Sequence, residues 1–224
     1  MKNKNILITA LILCIAGSVR AADNVSALKA GEVIARNGTQ AGATACIACH
    51  GTREEEPKTD SFPRLFNQSR YYIVNQLKDY ATGVRANAVM GPIAKALTDE
   101  EKENVAAYYS EILFPSPKVK KASAVVLKRG EVLAMTGDAK LEIQGCNNCH
   151  GPGGVGLAPA IPALAGQYAN YTESQLKAWK NGTRKNSSSQ MLEIAKKLSD
   201  KDIQALALYF QQVPVRTEKK SVTK

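Results

Sequence analysis

One short pattern, Cys-x-x-Cys-His, occurs twice and takes up both histidines of the chain and four of its five cysteines. It stands at Cys46, Cys49 and His50 and again at Cys146, Cys149 and His150, inside a much longer repeat. Lys29-Ala30-Gly31-Glu32-Val33-Ile34-Ala35 recurs as Lys128-Arg129-Gly130-Glu131-Val132-Leu133-Ala134. Pro63, Leu65, Gln68, Tyr72, Gln76, Leu77 and Gly83 reappear as Pro162, Leu164, Gln167, Tyr171, Gln175, Leu176 and Gly182. Ile93-Ala94-Lys95, Leu97, Asp99 and Tyr108 match Ile194-Ala195-Lys196, Leu198, Asp200 and Tyr209, and the offset drifts only from 99 to 101 residues. Register held over that length is the mark of tandem duplication. The chain must therefore fold as one small unit written twice. With only two histidines, both in the pattern, any mechanism needing a further histidine is excluded.

The boundaries follow from composition. Residues 1–21 read as an export signal: Lys2 and Lys4 precede the apolar run from Ile6 to Val19, and Val19-Arg20-Ala21 suits cleavage before Ala22. A run of about 14 residues is short of the roughly 20 that span a bilayer. Acylation at Cys14 would want a small residue where Leu13 stands, so Cys14 is expected to leave with the signal. Pro115-Ser116-Pro117-Lys118-Val119-Lys120-Lys121 cannot continue a helix or bury much, which makes 115–124 a linker. The units are then 22–114 and 125–214, with a basic tail over 215–224. Each is small for a domain held by its own apolar core. A bulky apolar cofactor would supply the missing interior.

The periodicity is helical. Leu28 to Ala35 starts a helix that Gly38 is placed to stop. Tyr71, Val74 and Leu77 give an apolar face closed by Gly83. Thr98-Asp99-Glu100-Glu101 is a capping box opening a helix with Val105, Tyr108, Tyr109 and Ile112 on one face. Ser199-Asp200-Lys201-Asp202 repeats that start before Ile203, Leu206, Tyr209 and Phe210. The stretch from Gly151 to Leu164 reads as loop, and no long alternating strand pattern occurs. Aromatic residues make up 6% of the chain with a single Trp, too few for an aromatic-rich β-barrel. The expected class is all-α.

Cys-x-x-Cys-His is the attachment signature of c-type haem. Its two thiols lie about one helical turn apart and reach the two vinyl groups on one porphyrin edge, while the adjacent imidazole meets the iron. A zinc site built from both pairs, or a redox or structural disulfide, is the competing reading. Neither accounts for a histidine following at once, twice, in an exported chain. Two covalent haem c groups are therefore expected, tethered by Cys46 and Cys49 and by Cys146 and Cys149, with His50 and His150 on the irons. For the opposite axial position the candidates are Met, Lys, Tyr, water or nothing. Met90 lies 40 residues after His50 and Met191 lies 41 after His150, each on a loop before the last capped helix of its unit. That matched placement points to thioether ligation, which favours ferrous iron and raises the potential. Met135 aligns with Arg36 and reads as packing.

On these motifs the chain resembles the two-domain class I cytochromes c of the cytochrome c4 type, over residues 22 to 214. The matching elements are Cys46, Cys49 and His50 with Met90, then Cys146, Cys149 and His150 with Met191. Pro63 and Pro162 fall where such folds place a Pro-x-Leu segment beneath the proximal histidine. The resemblance implies two class I domains packed face to face about a pseudo-twofold axis, with haem edges close enough to exchange electrons. Glu54-Glu55-Glu56-Pro57-Lys58 departs from the glycine-rich loop that follows the second motif and sets the surface beside the first site apart.

The formal net charge of +10 hides an asymmetry. Residues 22–114 carry −2 and residues 115–224 carry +9, with the signal supplying the remainder. A basic second half suits steering toward the acidic docking surface of a redox protein, or contact with an anionic membrane. Export removes nucleic acid from consideration, and no small-molecule substrate is expected. The function read from the sequence is a periplasmic electron carrier rather than an enzyme. The resemblance implies a quinol-oxidising donor and a terminal oxidase or similar acceptor. The alternatives are an electron-transfer subunit of a periplasmic dehydrogenase, or a catalytic two-haem enzyme such as a thiosulfate dehydrogenase.

Overall fold

The computed structural model describes residues 24–215 apart from 53, 114–116, 118–121 and 188. The expected signal over 1–21, most of the linker and nearly all of the basic tail lie outside the described residues. Among the described residues ten α-helices fall into two series of five. The first is α1 over 24–37, α2 Ile47–His50, α3 Arg70–Thr82, α4 Met90–Lys95 and α5 Asp99–Glu111. The second is α6 Ala124–Met135, α7 Asn147–His150, α8 Ala169–Lys180, α9 Gln190–Lys197 and α10 Asp200–Gln212. Short strands β1 (Gly137–Asp138) and β2 (Ile143–Gln144) pair antiparallel between α6 and α7. The all-α architecture and its duplication are as the sequence implies.

Local chemistry sets the ends. Gly38 stops α1 in the left-handed region (φ 73°), where its N–H bonds the Ile34 carbonyl. That helix is already formed at residue 24, the first described residue, ahead of the Leu28 start expected from its apolar run. Thr98 accepts from the Glu101 N–H while the Glu101 carboxylate accepts from the Thr98 N–H, and Ser199 with Asp202 does the same for α10. Replacing Thr98 with alanine should cost about 1 kcal/mol. A thermal melt of the holoprotein should fall by roughly 4–8 °C, the shift that such a loss gives a domain of 60–100 residues. An unmoved midpoint would mean that the box holds nothing.

Each series buries one core. Leu77, Val105, Tyr108, Tyr109 and Ile112 fill the first, and Leu133, Leu198, Ile203, Leu206 and Phe210 the second. On α3 the buried face is Ile73, Val74 and Leu77, whereas Tyr71, expected on it, is 53% exposed. The i, i+3, i+4 stripe runs one residue away from Tyr71, leaving it on the rim of the cavity described below. Met135 is exposed at the end of α6, on the surface side of its expected packing role. The stretch from Gly151 to Leu164 holds one 3₁₀ turn, Pro152–Gly154, and otherwise runs as loop.

The two halves meet through reciprocal contacts. Gln68 of the first half bonds Ala163 of the second, and Gln167 of the second bonds Arg64 of the first. Arg85 and Arg184 pair as an antiparallel bridge. Such exchange of equivalent partners is what an approximate twofold axis produces. The acidic insert has a place here too. Glu56 accepts from the Tyr168 hydroxyl across the interface at 2.6 Å and sits 3.2 Å from the guanidinium of buried Arg64.

Candidate functional site

Each Cys-x-x-Cys-His is a single helical turn. Cys46 caps α2 and His50 ends it, and Cys146 and His150 do so for α7. The left-handed glycines Gly51 (φ 75°) and Gly151 (φ 77°) then turn the chain away at once. Both rings are buried, and burial lowers their pKa. His50 Nδ1 lies 3.0 Å from the Pro63 carbonyl oxygen, and His150 Nδ1 lies 2.9 Å from that of Pro162. A carbonyl can only accept, so each Nδ1 carries the proton and Nε2 is left with its lone pair. Burial raises the thiols of Cys46 and Cys146 to about 11, which keeps them protonated at neutral pH.

All eight residues singled out by the motif and the methionine spacing line one continuous cavity of about 1060 Å³. That exceeds the roughly 300–1,000 Å³ of pockets that hold one drug-sized ligand. Its walls are mostly apolar: Leu77, Ile93, Leu97 and Val105 on one side, Leu176, Ile194, Leu198 and Leu206 on the other. Met90 opens α4 and Met191 is the second residue of α9, each packed against its own core. Both therefore start short helices instead of lying on the loops expected before the last capped helix of each unit. The Asn87 side chain accepts from the N–H groups of Val89 and Met90 and so builds the α4 turn. Among the described residues no three His, Cys, Asp or Glu side chains converge to hold a metal ion.

At the seam between the halves the cavity wall is cationic. Arg85 and Arg184 are each about 95% buried, and among the described residues neither pairs with a carboxylate. Arg85 donates to Gln76, Tyr171 and Gln175, and Arg184 to Gln175, Gln76 and Asn186. Their planes stack on Tyr80 at 4.5 Å and on Trp179 at 3.9 Å. Burial alone would push the Tyr171 phenol up, but the two guanidinium groups beside it hold its pKa below the ordinary value. Two buried positive charges with no carboxylate directly paired to them among the described residues are costly. They suit a guest that is apolar over its body and anionic at its edge, as a haem with its propionates is. These arginines were missed in the sequence, although the repeat reaches them two residues beyond Gly83 and Gly182.

Comparison with known proteins agrees with this geometry. The family model described as cytochrome c oxidase, cbb3-type, subunit III matches twice, over 34–108 and 134–210. A thiosulfate dehydrogenase electron acceptor from Stutzerimonas stutzeri is 38% identical over 81% of this chain and 85% of its own length. The structure of reduced cytochrome c4 from Pseudomonas stutzeri superposes with a TM-score of 0.67 at 34% identity, covering 75% of this chain and 93% of that one. Thiosulfate dehydrogenase TsdBA from Marichromatium purpuratum gives a TM-score of 0.75 at 33% identity over 83% of this chain, which spans only 40% of that longer protein. Fold, cavity and repeat define a two-domain cytochrome c. The chain belongs to this cytochrome c family as a dihaem, electron-transfer member of the cytochrome c4 kind, with two covalently bound haem c groups.

Proposed function

We propose that this protein is a periplasmic one-electron relay that takes electrons from a thiosulfate-oxidising dehydrogenase and passes them to a terminal oxidase or similar acceptor. Cys46 and Cys49 hold one haem in the domain over 22–114, and Cys146 and Cys149 hold the other in the domain over 125–214. His50 with Met90, and His150 with Met191, would hold the two irons. Bound haem supplies a one-electron ferric–ferrous couple. The residues of this chain do the rest. The two proline carbonyls orient the imidazoles, the apolar walls exclude water, and Arg85 and Arg184 neutralise charge at the seam. The observation that carries the reading is the matched set of Cys, Cys, His and Met on each side of a single cavity. With a histidine and a methionine holding each iron, no site would remain for substrate, and the reading is therefore a carrier that does no chemistry of its own.

The donor is suggested by relatives named for accepting electrons from thiosulfate dehydrogenase. A quinol-oxidising complex is the competing donor. Mixing the oxidised holoprotein with thiosulfate and catalytic amounts of thiosulfate dehydrogenase should reduce both haems, whereas thiosulfate alone should not. Reduction by thiosulfate alone would make the chain an enzyme, and no reduction through the dehydrogenase would move the donor to the quinol complex. Because the second half carries most of the positive charge, the bimolecular rate should fall steeply as salt rises. A rate indifferent to ionic strength would discard an acidic docking surface on the partner.

A further inference from the structure

The reciprocal glutamines do more than join the halves. The peptide between Pro63 and Arg64 accepts from His50 Nδ1 at its carbonyl (3.0 Å) and donates its N–H to Gln167 Oε1 of the other half (2.9 Å). The peptide between Pro162 and Ala163 accepts from His150 at 2.9 Å and donates to Gln68 Oε1 at 3.0 Å. Each glutamine closes the clamp by donating Nε2 back to the next carbonyl, that of Arg64 or of Ala163, at 2.9 Å. Gln68 and Gln167 are more than nine-tenths buried, so water does not compete for these bonds.

One amide thus stands in series between each histidine and a glutamine of the opposite domain. An amide that donates through its N–H becomes a better acceptor at its oxygen, because chains of hydrogen bonds polarise one another. A stronger acceptor on Nδ1–H makes the imidazole a more basic ligand, which favours the ferric state. From this geometry we infer that Gln68 and Gln167 are crossed positioning residues: Gln167 tunes the haem of the first domain and Gln68 that of the second. Docking of the domains then sets both potentials, and a domain taken alone would carry a different one. The inference rests on His50 and His150 as the iron ligands.

The test is a redox titration of the holoprotein with each haem followed by its own NMR signals. Gln167→Met should raise the potential of the first haem and leave the second in place, and Gln68→Met should do the reverse. The expected displacement is about threefold to tenfold in the ferric–ferrous ratio at fixed ambient potential, tenfold being about 59 mV for one electron. In the reduced protein the Nδ1–H resonance of the crossed histidine should move toward a weaker hydrogen bond. Gln167→Asn and Gln68→Asn, which draw the amide back by one methylene, should act in the same direction by less. Tyr168→Phe is the control, since it loosens the interface through Glu56 while leaving both glutamines in place, and it should displace neither couple. A shift confined to the mutated domain's own haem, an equal shift of both, the same shift in Tyr168→Phe, or no shift would each overturn the inference. Absence of any haem couple in the unaltered protein would instead overturn the reading it rests on.

Discussion

Replacing Met191 with alanine is expected to leave the second haem bound and its potential greatly lowered. The proposed tether is Cys146, at the N-cap of α7, with Cys149 inside it, and the imidazole of His150 is held by the Pro162 carbonyl, so neither depends on α9. What is lost is the thioether, the soft ligand that stabilises ferrous iron. Axial ligation spans about 0.8 V across haem proteins, and loss of methionine should take on the order of 0.1–0.2 V of that range. The vacated position should bind carbon monoxide in the reduced protein, and the weak charge-transfer band of methionine-ligated ferric haem should halve as one of two sites goes silent. The first haem, with Met90 on α4, should titrate unchanged. An unaltered band and potential would remove Met191 from the ligand set and turn attention to a lysine, tyrosine or water. Met90→Ala should mirror this at the first haem. It should also leave the Asn87 turn intact, because Asn87 accepts from the backbone N–H groups of Val89 and Met90.

Much of this site was legible in the chain because its chemistry is local. Cys-x-x-Cys-His is one helical turn, so spacing alone determines that the thiols and imidazole share a cavity wall. The duplication then made each half a control for the other, which is how Met90 and Met191 stood out from Met135. Contacts that depend on the meeting of the halves left weaker traces. Gln68 and Gln167, and Tyr72 and Tyr171, were visible as repeated positions, yet nothing in a single unit says that their partners lie in the other copy. Arg85 and Arg184 were overlooked because an arginine after a helix-ending glycine reads as solvated. Only the structure shows both side chains folded under aromatic rings at the seam. The Glu54–Lys58 insert looked like a surface peculiarity of the first unit, while Glu56 in fact reaches Tyr168 of the second. Tyr71 was misjudged for a related reason: helical period places it near the apolar stripe, and the open cavity mouth decides its exposure.

Gly130→Ala sets two effects against each other whose sizes differ. Gly130 sits inside α6, where alanine is the better helix former by roughly 1 kcal/mol, so propensity alone predicts a more stable protein. Packing predicts the opposite. A methyl group there would stand 2.2 Å from the Ala205 carbonyl oxygen and 2.6 Å from Tyr209 Cβ on α10, the helix that α6 crosses. The obstacle is backbone, so no rotamer change relieves it, and α6 must move off α10. Forcing an extra methylene into a well-packed contact costs about 1–3 kcal/mol and more where the backbone itself is in the way. Shifting α6 also disturbs Leu133 and Ala134, both fully buried in the second core. The net expectation is a loss of about 2 kcal/mol in reversible denaturant unfolding of the second domain, with the domain's haem still attached. Gly31 makes the same crossing in the first half, where a methyl group would lie 1.9 Å from the Asn104 carbonyl oxygen of α5, so Gly31→Ala should destabilise the first domain at least as much. Stability equal to or above that of the unaltered protein in both variants would show that the helices slide apart freely, and that the glycine in each copy of Gly-Glu-Val is not there to let two backbones touch.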